Sequence, residues 1–385
     1  MAGRRGVNKT VYFFLTPNGV SRDNYAHTAL VLAEGLQELG WQIFANIDYW
    51  RSGPDETATL FRNDPAVQPS DCAINVLTHD WLHFLYEMPY EFVENRNSVR
   101  VYLEDTDWMR TSGRRAEFGL FDIVLKPHFN SRTQHPPNYR PWAFGLTRRI
   151  LAETAEAAPY AARRKALLVN FGATHDSRHE LRDMFEARIY PGLQSLLQLD
   201  RATNNKNNPP VDRYHRFMWE QTAWRHYPDY YERLRNSVAC ACVGGQFFPA
   251  SPDDWSLLEG GARARLRRLW HGRVSRLRGT VPRWNQWESW RFWESMSAGC
   301  AALMLDFEKY GVQLPVQPEN WKHYIGFDLD NLSRDLERLT TEPHILSSVG
   351  AAGRAWVLEH YAPGRVAEQF LKLIGNSAGP GGALE

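Results

Sequence analysis

The sequence predicts an α/β fold of two domains, each built on a parallel β-sheet with helices on both faces. The chain has 385 residues, too many for one comfortable core. Apolar runs of strand length alternate with amphipathic segments of helix length, the pattern of βαβ units. This series stops at a polar stretch and then begins again, which divides the chain into two units.

The first half alternates strands and helices from its beginning. A helix is predicted from Asn24 to Leu39, because its apolar side chains recur every three or four residues and Gly40 provides a stop. The apolar runs that predict buried parallel strands around it are 11–15, 41–47, 72–77, 99–103 and 121–125.

A break separates the two halves. Residues 130–141 are rich in Pro, Asn and His, and residues 152–164 are Ala-rich and polar, so a junction is predicted near 145–165. We therefore expect domains over 1–155 and 156–362. In the second, strands are predicted at 166–171, 238–243 and 301–305, and helices near 229–236, 290–298 and 332–340. The Gly/Pro/Ala-rich residues 375–385 predict a disordered tail.

Composition limits the classes of function. Lys+Arg 45 against Asp+Glu 44 gives a net charge of +1, which removes any whole-protein charge argument for nucleic-acid binding. No two of the cysteines form a CxxC pair, and their apolar neighbours predict small core residues in a reducing compartment: Cys72, Cys240, Cys242 and Cys300. The apolar run at 10–16 is too short to span a membrane, so we expect a cytoplasmic protein.

The most informative stretch is 290–304. Its helix carries Arg291 and Glu294 three residues apart, hence on one face, and ends at Gly299 before a buried strand. A carboxylate accepts two hydroxyl protons, a guanidinium binds phosphate oxygens in a fork, and a helix N-terminus adds partial positive charge. The alternative is a solvated ion pair on an ordinary amphipathic helix.

This stretch resembles the donor-binding signature R-F-x-E-A-(small)-x-x-G-C-x-P-V of GT-B glycosyltransferases, in the exostosin-like and group 1 families. The resemblance implies that Glu294 hydrogen-bonds the ribose of a nucleotide sugar and that Arg291 approaches its diphosphate, with Ser289 in the same donor site. Retaining group 1 enzymes carry a Glu eight positions before the ribose-binding Glu. Here that position is Gln286, so the stereochemistry stays open.

Residues 230–249 look like the exostosin-type segment Y-x-x-x-L-x-x-S-x-F-x-L-x-P-x-G. In that segment a helix and a strand deliver a small-residue loop to the nucleotide. Here Gly244 and Gly245 would let backbone amides approach the donor, although the Pro-x-Gly ending is missing.

Residues 19–40 look like the group 1 pattern of a Gly-rich loop followed by L-A-x-x-L-x-x-x-G, with Asn18 and Gly19 in place of its double glycine. The resemblance implies that this loop faces the cleft and contacts the acceptor. Asp23 and His27, four residues apart, are the candidates for the base that removes the proton of the acceptor hydroxyl. Asp23 could instead cap the helix.

Two further motifs leave alternatives open. Asp105 and Asp107 form an Asp-x-Asp after a strand, which suits a divalent metal as in GT-A glycosyltransferases, an acceptor contact in the cleft, or an ordinary turn. Residues 261–283 hold eight arginines and no acidic residue. They suit phosphate, an anionic acceptor or a membrane surface, or else form the basic face of an amphipathic helix.

The tryptophans that follow at intervals of three are core residues or a sugar platform: Trp284, Trp287, Trp290 and Trp293.

The resemblance implies a GT-B architecture, in which two Rossmann-like domains face a cleft and the helix 363–374 returns towards the N-terminal domain. We predict a glycosyltransferase with an acceptor-side N-terminal domain and a donor-binding C-terminal domain. Its expected partners are a nucleotide sugar and a glycan or small-molecule acceptor, with no nucleic acid, no metal and no other cofactor. Arg263–Arg283 is a candidate for peripheral membrane contact. The alternatives are a metal-dependent transferase built on Asp105 and Asp107, and a non-catalytic module that binds a polyanion through Arg263–Arg283.

Overall fold

The computed structural model describes most of the chain: residues 9–17, 25–95, 97–105, 116–132, 134–170, 182–201, 204, 207–244, 246–248, 283–285 and 288–377. Several predicted site residues lie outside these ranges, namely Asn18, Gly19, Asp23, Asp107, Gly245 and the arginine-rich residues 263–282. The predicted tail is described only as far as residue 377. None of the described helices is long and apolar enough to cross a bilayer.

The first domain is built on a six-stranded parallel sheet. Its strands are β1 Thr10–Phe14, β2 Gln42–Ala45, β3 Ile74–Thr78, β4 Val99–Leu103, β5 Ile123–Lys126 and β6 Tyr139–Pro141. They lie in the order β2-β1-β3-β4-β5-β6. The apolar runs of the sequence form the central strands, which are buried on both faces because helices cover them.

The helices of this domain are α1 His27–Glu38, α2 His79–Leu85, α3 Tyr90–Glu94 and α4 Arg148–Thr154, with short 3₁₀ turns at Pro69–Asp71 and Ala116–Leu120. Helix α1 is buried over most of its length, because it packs between the sheet and the C-terminal helix.

The second domain is built on a five-stranded parallel sheet in the order β13-β12-β9-β7-β8. The strands are β7 Arg164–Leu168, β8 Gln198–Asp200, β9 Ser237–Ala241, β12 Ala301–Leu305 and β13 Ile325–Phe327. Strands β10 Gln246–Phe248 and β11 Arg283–Asn285 form a separate antiparallel pair. The expected α/β fold with two parallel sheets is thereby confirmed.

Helices surround the second sheet: α5 Arg213–Gln221, α6 Pro228–Arg235, α7 Trp290–Ser297, α8 Phe307–Tyr310, α9 Leu332–Thr341, α10 Ile345–Tyr361 and α11 Pro363–Ser377. Short turns lie at Tyr160–Ala162, Phe185–Ile189 and Tyr190–Gly192. Pro363 ends α10 and begins α11, since proline is tolerated only in the first turn of a helix. Helix α11 then crosses back and packs along α1.

The sequence prediction does not include every element. The polar stretch 130–141 contains β6, an edge strand where prolines are tolerated because no partner needs the missing N–H. Helix α10 was not predicted, because its Ser and Gly residues are poor helix formers. Its glycines serve close packing instead: a Cβ at Gly353 would lie 2.4 Å from the carbonyl oxygen of His323.

The carboxyl ends of the two sheets face each other. Beyond β5, the Asn130 side chain donates a hydrogen bond to the Tyr310 carbonyl oxygen at 2.9 Å, and Ser131 N donates to Gly311 O at 2.8 Å. Tyr310 and Gly311 lie at the end of α8, the short helix that follows β12. Ligands of parallel α/β sheets bind at this edge, so the interdomain crevice is where a site is expected.

Replacement of Gly35 by Ala should destabilise the protein by about 1–3 kcal/mol, because α1 and α11 are in backbone contact there. A Cβ at Gly35 would lie 1.9 Å from the Pro363 carbonyl oxygen. Urea unfolding measures the loss. Gly119→Ala is the control, since a Cβ there meets no described atom within 4 Å; equal effects of the two changes would refute the helix contact.

Candidate active site in the interdomain crevice

The start of α7 is attached to the carboxyl end of β9. The Ser289 hydroxyl donates to the Cys242 carbonyl oxygen at 2.9 Å, and the Cys242 thiol contacts the Arg291 carbonyl oxygen at 3.4 Å. Ser289 is the N-cap residue, but its side chain makes no capping bond. The positive end of the helix dipole therefore lies at the edge of the sheet, beside the buried Gly244.

Arg291 lies at the same edge. Its Nη1 donates to the carbonyl oxygen of Asn170, just beyond β7, at 3.5 Å, and the side chain is half-buried. A guanidinium next to a helix N-terminus is the arrangement that binds phosphate oxygens in many folds. Arg291 and Ser289 of the predicted donor site thus lie at the same sheet edge, and Gly244 is two residues beyond Cys242 in the chain.

Glu294 points from α7 into the protein, and only 7% of it is exposed. Its carboxylate accepts hydrogen bonds from the Tyr230 hydroxyl at 2.9 Å and the Tyr231 hydroxyl at 2.7 Å. Burial raises the pKa of Glu294, against the lowering effect of Tyr231 and Arg149. The alternative of a solvated Arg–Glu pair is therefore wrong. Each carboxylate oxygen can accept two hydrogen bonds, so each oxygen of Glu294 has one acceptor position beyond its tyrosine bond. Ribose binding by Glu294 stays a prediction.

Arg149 connects this carboxylate to the first domain. Its Nη1 donates to the Tyr231 hydroxyl at 2.8 Å and to His226 Nδ1 at 3.0 Å, and Nη2 reaches the Tyr25 hydroxyl at 3.5 Å. Burial alone would lower the pKa of Arg149, but Tyr231, Tyr25 and Glu294 raise it. The guanidinium is therefore charged. The periodicity of the sequence gave no indication that Arg149 occupies this buried position.

In the described part of the chain, one group of side chains has ligand atoms close enough to hold a metal ion. The ligand atoms of Glu153, His215 and His226 lie within 4.8 Å of one another. Arg149 can only donate, so His226 Nδ1 accepts and its Nε2–H donates to His215 Nδ1 at 2.9 Å. Burial, with Arg149 and His215, lowers the pKa of His226 to about 2, so the ring is neutral. Both nitrogen atoms of His226 are used in hydrogen bonds, and we assign the group to structure rather than to metal binding.

Acidic residues lie across the crevice, at the carboxyl end of the first sheet. Asp105 follows β4 and accepts a hydrogen bond from the Thr28 hydroxyl in the first turn of α1, while its buried Oδ1 has no hydrogen-bond partner among the described residues. Burial raises the pKa of Asp105 to about 7, and the nearby Asp80 and Glu104 add to the increase. A carboxyl group with this pKa can take up a proton near neutral pH.

His27 is buried at the domain interface. Its Nδ1 is 3.2 Å from the Tyr25 hydroxyl and its Nε2 is 3.3 Å from the Gly145 carbonyl oxygen. Burial lowers its pKa to about 3. Both ring nitrogens already have partners, so this placement gives little access to an acceptor hydroxyl. The N-cap residue of α1 is Ala26, and Asp23 lies outside the described residues, so its two alternatives, base or helix cap, stay predictions.

The first two residues of α1 bridge the two sides of the crevice. Thr28 bonds Asp105, and the His27 ring stacks on Trp290, with centroids 5.0 Å apart and planes at 25°. The Arg225 guanidinium lies over the same indole at 5.6 Å. Asp105 is thereby held near the start of α7, where Arg291 follows Trp290. Trp290 is a domain-interface residue, whereas Trp293 lies in the core.

Sequence reasoning missed Glu288, which is fully buried just before α7. Among the residues that the structure describes, neither of its carboxylate oxygens has a hydrogen-bond partner of good geometry. Burial raises the pKa of Glu288 well above its usual value, and the Asp105 charge adds to this. The only sequence signal was its position two residues before Trp290, at the start of the recognised motif.

Tyr231→Phe should destabilise the protein by about 2–3 kcal/mol, because it removes bonds to a buried guanidinium and a buried carboxylate together. Tyr230→Phe removes one bond and should cost less. Urea unfolding at neutral pH gives the ranking. Tyr160→Phe, at a 37% exposed tyrosine, is the control. An effect of Tyr231→Phe no larger than that control would contradict the network.

Comparison with solved structures identifies the fold of the chain. No protein-family model and no curated protein sequence matches the chain. An α-glucosyltransferase solved with UDP-glucose and DNA containing an abasic site matches over 95% of this chain and 99% of its own, with TM-score 0.52 and 8% identity. Sucrose-phosphate synthase from Thermosynechococcus elongatus covers 95% and 98%, with TM-score 0.47 and 10% identity. TarM matches 78% of this chain, which spans only 54% of TarM, with TM-score 0.42 and 8% identity. The chain has the GT-B fold of nucleotide-sugar-dependent glycosyltransferases.

Proposed function

We propose that this protein transfers a sugar from a nucleotide-sugar donor, bound by the C-terminal domain, to a hydroxyl group held by the N-terminal domain. The observation that carries the proposal is the bridge at the start of α1. It sets a titratable carboxyl group, Asp105, across from a helix N-terminus that carries Arg291. The same fold occurs in an α-glucosyltransferase in complex with UDP-glucose, so a uridine nucleotide is the first donor to test.

The donor would bind with its diphosphate at the N-terminus of α7. Arg291 supplies a full positive charge, the helix dipole a partial one, and Gly244 allows close approach of the backbone. These groups can stabilise the negative charge that develops on the leaving diphosphate, so we propose a reaction that requires no metal. Glu294, held by two tyrosines, would be positioned for the ribose.

The acceptor hydroxyl would lie against Asp105 Oδ1. Its oxygen forms the new bond to the anomeric carbon, the bond from that carbon to the diphosphate breaks, and the hydroxyl proton passes to the carboxylate. We propose Asp105 rather than His27 for this task, because its Oδ1, although buried, has no hydrogen-bond partner within the described part of the chain and its pKa is about 7. The nucleoside diphosphate leaves with the electron pair of the broken bond.

Donor binding is tested by the thermal shift that UDP, GDP, CDP and dTDP produce. One of these nucleotides at 100 times its Kd should stabilise the wild type by about 2.7 kcal/mol. Arg291→Ala should remove most of that stabilisation, whereas Arg216→Ala, at an exposed surface pair, should not. If no nucleotide shifts the melting temperature of the wild type, the proposed function fails.

Asp105→Asn should lower kcat by about 10²–10⁴-fold, because the amide accepts the Thr28 hydrogen bond but cannot take a proton. In the wild type, kcat/KM should rise with pH up to about 7, as Asp105 loses its proton, and then level off. Asp122→Asn is the control, since Asp122 pairs with Arg100 at the opposite edge of the same sheet. An unchanged pH profile in Asp105→Asn would exclude this base.

EDTA treatment distinguishes the proposed metal-free reaction from the metal-dependent alternative. Activity that survives chelation in the wild type and is lost in Asp105→Asn supports proton transfer. Activity that is lost on chelation and restored by Mg²⁺ or Mn²⁺ would support the Asp-x-Asp alternative instead.

A further inference from the structure

Two tyrosines project into solvent at the far end of α2, the helix that begins at the sheet edge where Asp105 also lies. Tyr86 is 76% exposed and Tyr90 is 74% exposed, the largest exposed fractions of any aromatic side chain among the buried and exposed residues that the structure describes. They flank the short turn between α2 and α3. Large aromatic rings are usually withdrawn from water, so two exposed rings four residues apart in the chain are candidates for ligand binding.

The turn that carries these rings is fixed to the sheet. Trp81 packs edge-on against Phe14 of β1, with centroids 5.8 Å apart, and its indole N–H donates to the Glu87 carbonyl oxygen at 3.0 Å. Tyr86 ends α2 with φ at +59°, a conformation that side chains other than glycine rarely adopt. Tyr86 N–H donates to the Leu82 carbonyl oxygen, so this left-handed residue closes the end of α2.

The position of the turn relates the rings to the acceptor. Helix α2 begins directly after β3, at the sheet edge that carries Asp105 beyond the adjacent β4. A helix of seven residues is about 10 Å long. The tyrosines lie at the far end of this helix, so we expect a ligand that touches both the rings and Asp105 to be a chain of several sugar units.

The charge around the rings limits the chemistry of that chain. Residues 79–95 contain four acidic residues and no Lys or Arg: Asp80, Glu87, Glu91 and Glu94. Such a segment repels polyanions such as nucleic acid or a phosphate-linked polymer. Carboxylates do accept hydrogen bonds from hydroxyl groups, and tyrosine rings pack against the C–H faces of sugars, so both features suit an uncharged glycan.

We infer that Tyr86 and Tyr90 form an acceptor subsite for an uncharged oligosaccharide, whose terminal hydroxyl lies at Asp105 and whose further sugar units extend along α2. This inference rests on the proposed function and specifies its acceptor. It also gives a role to the Tyr86 and Tyr90 rings, which are not packed in the hydrophobic core.

The test compares Tyr86→Ala/Tyr90→Ala with wild type on an array of uncharged oligosaccharides of increasing length, with a heparin fragment and a single-stranded DNA as polyanion probes. Tyr160→Ala is the matched control, because Tyr160 is also exposed but lies before β7, away from the crevice. The wild type and the control should retain uncharged oligosaccharides. The double variant should bind them at least about tenfold more weakly. Retention should not depend on salt, since no phosphate contact is involved.

Three results would overturn the inference: no retained uncharged oligosaccharide, equal retention by the double variant, or retention of polyanions alone with a steep salt dependence. The nucleotide thermal shift, measured on the same variants, keeps the two proposals apart. A nucleotide shift without glycan retention rejects the subsite only. Glycan retention through the tyrosines without any nucleotide shift rejects the transferase instead.

Discussion

The geometry of the crevice depends on one buried positive charge, the guanidinium of Arg149. A buried charge is costly unless hydrogen bonds and an opposite charge compensate it. Here Tyr231 and His226 come from the second domain and the Tyr25 hydroxyl from the first, with Glu294 one hydroxyl further away. Because each partner must be in place, the requirement fixes α4 relative to α6, α7 and the segment before α1.

That constraint extends to the groups that would act on substrates. Glu294 anchors the middle of α7, so the first residue of the same helix, Trp290, presents its ring to His27. A second contact, between the segments that follow β5 and β12, joins the domains on another side of the crevice. Groups held in this way need little reorganisation when charge develops in a reaction, which is where preorganised sites gain rate.

Sequence patterns predicted the parts of this molecule that depend on local order. Apolar runs indicated the central strands, and the motif around Arg291 indicated the helix start that lies at the sheet edge. The network around Glu294 could not be predicted, since Tyr231 is 63 residues away and Arg149 belongs to the junction between domains. Glu288 was missed for a related reason: its burial comes from segments distant in sequence, and a lone glutamate has no periodic signature.

The two sides of the crevice differ in charge, and one cause explains two properties of the acceptor side. Burial beside Asp80 and Glu104 raises the pKa of Asp105 to about 7, which makes it a suitable proton acceptor near neutral pH. The negative field of neighbouring carboxylates also disfavours anionic ligands there. Asp80 belongs both to this cluster and to the acidic segment that carries Tyr86. A base with a raised pKa and a preference for uncharged acceptors therefore follow from the same placement of carboxylates, opposite a donor side whose arginine and helix dipole favour phosphate.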